Sequence, residues 1–163
     1  MDYLWTPWRY QYVVKSEEKS AECIFCAAVA DTEHDRERLV VYRATYNVVM
    51  LNRYPYTSGH LMLVPHQHVA SLRDVTDETL VELIRLARVA EIHLRAIYRP
   101  GGLNFGFNIG RSAGAGIADH LHLHALPRWT GDTNFMTVIG ETRVLPEDLE
   151  VTWERVREAF ARG

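Results

Sequence analysis

The sequence predicts an α+β fold. Three observations carry this. Short apolar, β-branched runs are bounded by turn residues, one long stretch has apolar residues at spacings of three and four, and histidine alternates with apolar residues from His120 to His124. The 163 residues suffice for one domain with a real core and are few for two. The chain therefore reads as a single domain over 1–163, in which 1–22 form an aromatic arm and a linker.

The arm runs from Tyr3 to Tyr12, with Trp5, Trp8 and Tyr10 among its rings, and Pro7 argues against a helix there. It reads as a clamp on the core or on a partner chain, ahead of the alternative that one ring stacks on a base. Lys15 to Glu22 is a solvated linker. Cys23-Ile24-Phe25-Cys26 can present two sulfurs to one metal ion across a tight turn, or hold two reduced structural thiols. Asp31 to Arg38 is a charged loop.

Leu39–Tyr42 and Asn47–Leu51 read as strands joined through Thr45-Tyr46-Asn47. After a turn-rich loop from Asn52 to Gly59, His60–Pro65 is a third strand, stopped by proline, with His66 and His68 just beyond. Thr76 opens the clearest helix. Asp77 and Glu78 suit its positive end. Leu80, Leu83, Ile84, Ala87, Ala90, Leu94 and Ile97 form one buried face, and Pro100-Gly101-Gly102 ends it. His93 falls off that face and reads as a surface residue. Leu103–Ile109 is a fourth strand, and Phe135–Ile139 reads as a short one. Pro146-Glu147-Asp148 opens a last helix with Leu149, Trp153, Val156 and Phe160 on one side.

Residues 120–126 read as a further strand. Alternate side chains would place His120, His122 and His124 on one face, about 6–7 Å apart, with Leu121, Leu123 and Ala125 on the other. Three ionisable rings gain nothing in a core, so this face is expected to meet water, a ligand or a metal. The preceding run, Asn108 to Gly116, is poor in side chains and lets backbone N–H groups approach an anion. It reads as a phosphate site or a flexible connection, and the histidines that follow favour phosphate.

The net charge of −3 argues against a nucleic-acid or membrane-surface protein. No apolar run approaches the roughly 18 residues of a membrane span, and no signal pattern opens the sequence. Two cysteines make no disulfide framework. These features together predict a cytoplasmic protein.

His120-Leu-His122-Leu-His124-Ala-Leu126 resembles the signature of the histidine-triad superfamily. Further resemblances lie in Cys23–Cys26, Leu51 through His60, Val64-Pro65-His66-Gln67-His68 and Asn108–Gly116. Leu4–Arg9 and Pro127–Phe135 are similar to the branch of bacterial diadenosine tetraphosphate phosphorylases and related dinucleoside-polyphosphate hydrolases. The resemblance spans Leu4 to about Leu149. It implies an antiparallel sheet of about five strands with a long helix, paired into a homodimer. It also implies cleavage of an adenine nucleotide or dinucleoside polyphosphate at an α-phosphate, with no organic cofactor and phosphorolysis slightly favoured.

On the same resemblance His122 is the nucleophile, its other ring nitrogen held by a carbonyl near His124. Neutral imidazole suits that role near pH 7. His124 and the backbone of Ser112, Ala115 and Gly116 would meet the phosphoryl charge. Asn52 resembles a ribose contact and Asn108 a phosphate or nucleophile-side contact. Trp129 bounds the substrate pocket or is a core or interface tryptophan. Gly116 stands where relatives often carry glutamine or serine, which leaves the choice between water and phosphate open. Zinc-bearing relatives imply Cys23, Cys26, His68 and His120 as a structural zinc site, with His60 and His66 as substitutes. His60 is expected near the active site and His66 in solvent. The rival readings are hydrolysis of other nucleotide conjugates such as phosphoramidates, a catalytic metal held by the three histidines, and a non-catalytic nucleotide-binding module.

Overall fold

The computed structural model describes residues 23–132 and 147–163. The aromatic arm, the Lys15–Glu22 linker, Phe135–Ile139 and Pro146 lie outside the described residues. Five strands form one antiparallel sheet: β1 (Val40–Arg43), β2 (Asn47–Leu51), β3 (Leu61–Pro65), β4 (Gly102–Phe107) and β5 (Leu123–Arg128). Their order is β1-β2-β3-β5-β4, so β5 inserts between β3 and β4. Among the described residues three helices accompany them: α1 (Ile24–Ala30), α2 (Asp77–Tyr98) and α3 (Leu149–Ala161). None of the described helices is long and apolar enough to cross a membrane.

Strand alternation gives the sheet two buried faces. Val49, Leu51, Leu61, Leu63, Leu123 and Ala125 pack against Leu83, Leu86, Ala90 and Leu94 of α2 and Trp153, Val156 and Phe160 of α3. Val48, Met50, Met62 and Val64 turn the other way and bury Phe25 and Ala28 of α1. β2 and β3 are covered on both sides, so every residue in them is buried.

Thr76 caps α2, as its position predicts, accepting from the Thr79 N–H. Two assignments along α2 are corrected. Ile84 is 61% exposed, and Leu86 takes the core position. The two lie about 160° apart around the helix axis, on opposite flanks of Leu83, and the Leu86 flank is the one that joins the core with Trp153, Val156 and Phe160 of α3. His93 is not a surface residue. Its ring packs on Phe160 at 4.7 Å, and its Nε2 is buried with no partner among the described residues. Burial lowers its pKa.

The first strand begins at Val40, because Leu39 takes a left-handed φ of 62° at the mouth of the sheet. The fourth ends at Phe107 rather than Ile109. The pair Cys23–Cys26 is not a tight turn. Cys23 caps α1 and Cys26 lies within its first turn. The far end of α1 is held by Arg43 of β1, whose guanidinium donates to the carbonyls of Ala28, Val29 and Asp31 at 2.8, 3.1 and 2.6 Å. Asp35 pairs with the same guanidinium at 2.7 Å.

Candidate active site and metal cluster

β5 begins only at Leu123, so His120 and His122 stand in the extended lead-in and His124 alone lies in the strand. The three rings do not face open water. They are 0%, 6% and 8% exposed, so of the expected alternatives, water, a ligand or a metal, open water is the one set aside. Buried imidazoles need partners, and the partners found here differ for each ring.

The Nε2–H of His120 donates to the carbonyl of Pro65 at 2.9 Å. A carbonyl only accepts, so the neutral ring keeps its lone pair on Nδ1. That atom lies 3.4 Å from Cys23 Sγ and 3.6 Å from Cys26 Sγ. His68 Nδ1 approaches Cys26 Sγ at 3.1 Å. The four ligand atoms of Cys23, Cys26, His68 and His120 all lie within 4.8 Å of one another. A tetrahedral zinc with bonds of about 2.3 Å to sulfur and about 2.0 Å to nitrogen would place S and N about 3.5 Å apart. The donor set fits a closed Cys₂His₂ centre. Cys23 makes no side-chain capping bond, so its sulfur is not spent on α1. The carbonyl of Pro65 orients the His120 ring in the way outer groups orient metal-bound histidines. His66 lies outside this cluster, and its ring is turned from solvent rather than toward it. It is half-buried, its Nε2 lacks a partner among the described residues, and burial lowers its pKa.

His122 donates Nδ1–H to the carbonyl of His120 at 2.8 Å. The expected acceptor near His124 is therefore corrected to His120 itself. This bond leaves the lone pair on Nε2, the tautomer a nucleophile requires. Burial holds the His122 pKa below the usual imidazole range, against the opposing pull of that carbonyl. Phe25 and His124 pack against the ring, at 4.9 Å and 4.8 Å between centroids.

The protons of His124 and His60 are ordered by a relay. The Tyr56 N–H donates to His60 Nδ1 at 3.2 Å, which puts the His60 proton on Nε2. His60 Nε2 lies 2.8 Å from His124 Nδ1, so His124 accepts there and carries its own proton on Nε2. His124 thus offers an N–H donor next to the lone pair of His122. Burial first, and the neighbouring His122 second, push its pKa down to about 4. The Tyr56 ring closes over both, 4.8 Å from His60 and 6.2 Å from His124.

Asn52 sits across the β2–β3 ladder from His60, its N–H donating to the His60 carbonyl at 3.0 Å. Its Oδ1 is occupied by the Tyr54 N–H at 2.9 Å. Asn108 follows β4 directly, and continuing the β4–β5 register sets it level with His122. Beyond it the chain makes a 3₁₀ turn at Arg111–Ala113 between Gly110 and Gly114, both at positive φ. Ala113 and Gly114 spend their N–H groups within this turn. Those of Ser112, Ala115 and Gly116 have no partner among the described residues. Trp129 is not brought to the histidines. Its ring contact is with Tyr98 at the end of α2, 6.3 Å away and edge-on.

The residues missed in the sequence are Phe25, Tyr56 and Arg43. Phe25 had the strongest signal, being an aromatic enclosed by the cysteine pair.

Comparison with known proteins agrees with this geometry. The sequence model of the HIT domain family matches residues 33–131. An AP-4-A phosphorylase of Mycobacterium tuberculosis is 40% identical over 98% of this chain and 84% of its own length. A zinc-bound histidine triad family protein from Mycobacterium smegmatis superposes with a TM-score of 0.68 at 27% identity, covering 88% of this chain and 96% of that one. A hypothetical histidine triad nucleotide-binding protein from Sulfolobus tokodaii gives 0.67 at 28% identity, over 86% and 93%.

Proposed function

The chain belongs to the HIT domain family, and we propose that it cleaves dinucleoside polyphosphates of the diadenosine tetraphosphate kind at an α-phosphate, through a nucleotidyl-His122 intermediate. One observation carries this reading. The bond from His122 Nδ1–H to the His120 carbonyl leaves the neutral Nε2 lone pair unspent beside the N–H donor of His124.

In the first step His122 Nε2 attacks the α-phosphorus, and the bond to the bridging oxygen breaks. With diadenosine tetraphosphate the leaving group is ATP, and AMP stays on His122. The His124 Nε2–H and the backbone of Ser112, Ala115 and Gly116 face the negative oxygens that form, where preorganised donors act most strongly. In the second step an oxygen of inorganic phosphate attacks the same phosphorus, releasing ADP and restoring His122. Covalent catalysis divides one hard displacement into two. Asn52 is assigned to the ribose and Asn108 to the phosphate beside His122. The preference for phosphate over water rests on the phosphorylase relative.

We assign Cys23, Cys26, His68 and His120 to a structural zinc ion. When bound it would supply a tetrahedral cross-link between α1 and the catalytic segment. The rival in which the three histidines hold a catalytic metal is disfavoured, because the His120 ring turns to the sulfurs while His122 is tied to a carbonyl. We also retain the homodimer. Its pairing surface is assigned to β4, one of the two outer strands of the sheet, where Phe105 is 38% exposed.

The test is incubation with diadenosine tetraphosphate, with and without inorganic phosphate. ADP plus ATP formed only with phosphate supports phosphorolysis. AMP plus ATP without it makes the protein an asymmetric hydrolase. No cleavage of any adenylylated compound overturns the reading.

A further inference from the structure

Phe25 occupies an unusual place. It lies between the two cysteines in sequence and is 1% exposed. Its ring contacts two histidines of different function. One is His120, at 5.3 Å and 72°, whose Nδ1 faces the sulfurs. The other is His122, at 4.9 Å and 49°. The first turn of α1 thus delivers three side chains to one place, two sulfurs to His120 and one ring to His122.

The hydrogen bond from His122 Nδ1–H fixes the tautomer but leaves the ring free to rock about its Cβ–Cγ bond, a soft torsion for an sp³–sp² junction. Rings packed against it restrain that motion. His124 lies at 4.8 Å and 73°, and Phe25 at 4.9 Å and 49°. Phe25 is itself seated edge-to-face on His120, a geometry aromatic pairs prefer.

We propose that Phe25 is a positioning residue for His122, the wedge through which the Cys23/Cys26/His68/His120 cluster holds the nucleophilic imidazole in line. When the cluster is intact, α1 is pinned at its N-terminal end by His120 and at its C-terminal end by Arg43, and the Phe25 ring cannot withdraw. When the cluster opens, the first turn of α1 loosens and His122 loses the packing of the Phe25 ring. The cluster then acts on the rate of the chemical step without touching substrate. This rests on the assignment of His122 as nucleophile.

The experiment compares Phe25→Leu, Phe25→Tyr and Val48→Ala in the full chain. Val48 is fully buried in the same apolar cluster and serves as a control for lost packing. Three readouts are taken: kcat and KM for diadenosine tetraphosphate, bound zinc per chain, and the ¹⁵N resonances of the His122 ring. Phe25→Leu is expected to lower kcat about 10²-fold, the scale of a 1 Å misplacement, with KM changed less than threefold and zinc retained. Its His122 ¹⁵N signals are expected to broaden or move toward a mixed tautomer. Phe25→Tyr keeps the ring and recovers most of kcat. Val48→Ala loses stability with kcat unchanged.

Equal loss of kcat in Phe25→Leu and Val48→Ala, or unmoved His122 signals in Phe25→Leu, overturns the proposal. The ¹⁵N readout needs no turnover. If the wild-type protein cleaves nothing, the proposed function fails, while the effect of Phe25 on the His122 ring is still measured.

Discussion

His60 and His124 share a buried ring-to-ring hydrogen bond of 2.8 Å, and its direction is set from outside the pair by the backbone N–H of Tyr56. This orders the tautomer of a histidine that accepts no backbone hydrogen bond on its own ring. His60→Ala removes the donor and leaves His124 Nδ1 buried and unpaired, a cost of about 1–3 kcal/mol. We expect kcat to fall about 10²-fold with little change in KM, measured by steady-state cleavage of diadenosine tetraphosphate. Unchanged kcat would separate His60 from the chemistry.

Gly59 places His60. Its φ is +76°, and an added Cβ would stand 2.6 Å from the Tyr98 ring and 3.2 Å from Leu94. Gly59→Ala therefore meets backbone strain and overpacking together, a destabilisation of about 1–3 kcal/mol. Gly101→Ala, whose added Cβ would meet only the Arg128 carbonyl at 3.6 Å, should be near neutral. Urea midpoints of the two variants make the comparison, and equal midpoints would contradict it.

Acid should unfold this protein early. His124 is pushed down to about 4 and His93 is lowered, both by burial first. Such a histidine binds its proton more weakly folded than unfolded, so stability rises with pH while the unfolded chain holds more protons. Stability is full above about pH 6.5 and is lost as pH falls from there toward 4. The His124 share is on the order of 3 kcal/mol. His34 opposes the trend, raised by its bond to Asp31, but that pair is exposed and screened. Denaturant midpoints from pH 7.5 to 4 test the sign. A flat profile would mean that the rings are hydrated.

Purified protein should carry close to one zinc per chain. Cys23→Ser should lose that metal together with stability, since structural zinc contributes folding energy outright. Elemental analysis alongside thermal melting checks both. Metal-free protein of unchanged stability would remove zinc from the account.

Much of the sheet was legible. β-branched runs give strands where both faces are buried, and Thr76 with Asp77 and Glu78 marks the start of α2 on local chemistry alone. The triad pattern also carried the site, since His120, His122, His124 and His60 do converge. What escaped depended on tertiary partners. Ile84 and Leu86 lie on opposite flanks of the line through Leu83, Ala90 and Leu94, and spacing alone does not say which flank is covered. His93 looked exposed because its cover, Phe160, is distant in the sequence. The alternation at residues 120–124 suggested one shared face toward water, a ligand or a metal, whereas the carbonyls of Pro65 and His120 orient the His120 and His122 rings separately. Phe25 and Arg43 act through the far ends of α1, a helix too short to be recognised before its cysteines were seen to cap it.

The most direct test of the central claim is to trap the covalent intermediate. Diadenosine tetraphosphate labelled in the adenosine would be mixed with the protein without phosphate, quenched under alkaline conditions that spare phosphoramidates, and the peptides sequenced by mass spectrometry. The account predicts one adenylyl group on His122, which a chase with inorganic phosphate removes as ADP and which His122→Asn lacks. Cleavage at full rate with no adduct on His122, or an adduct on another residue, would contradict it.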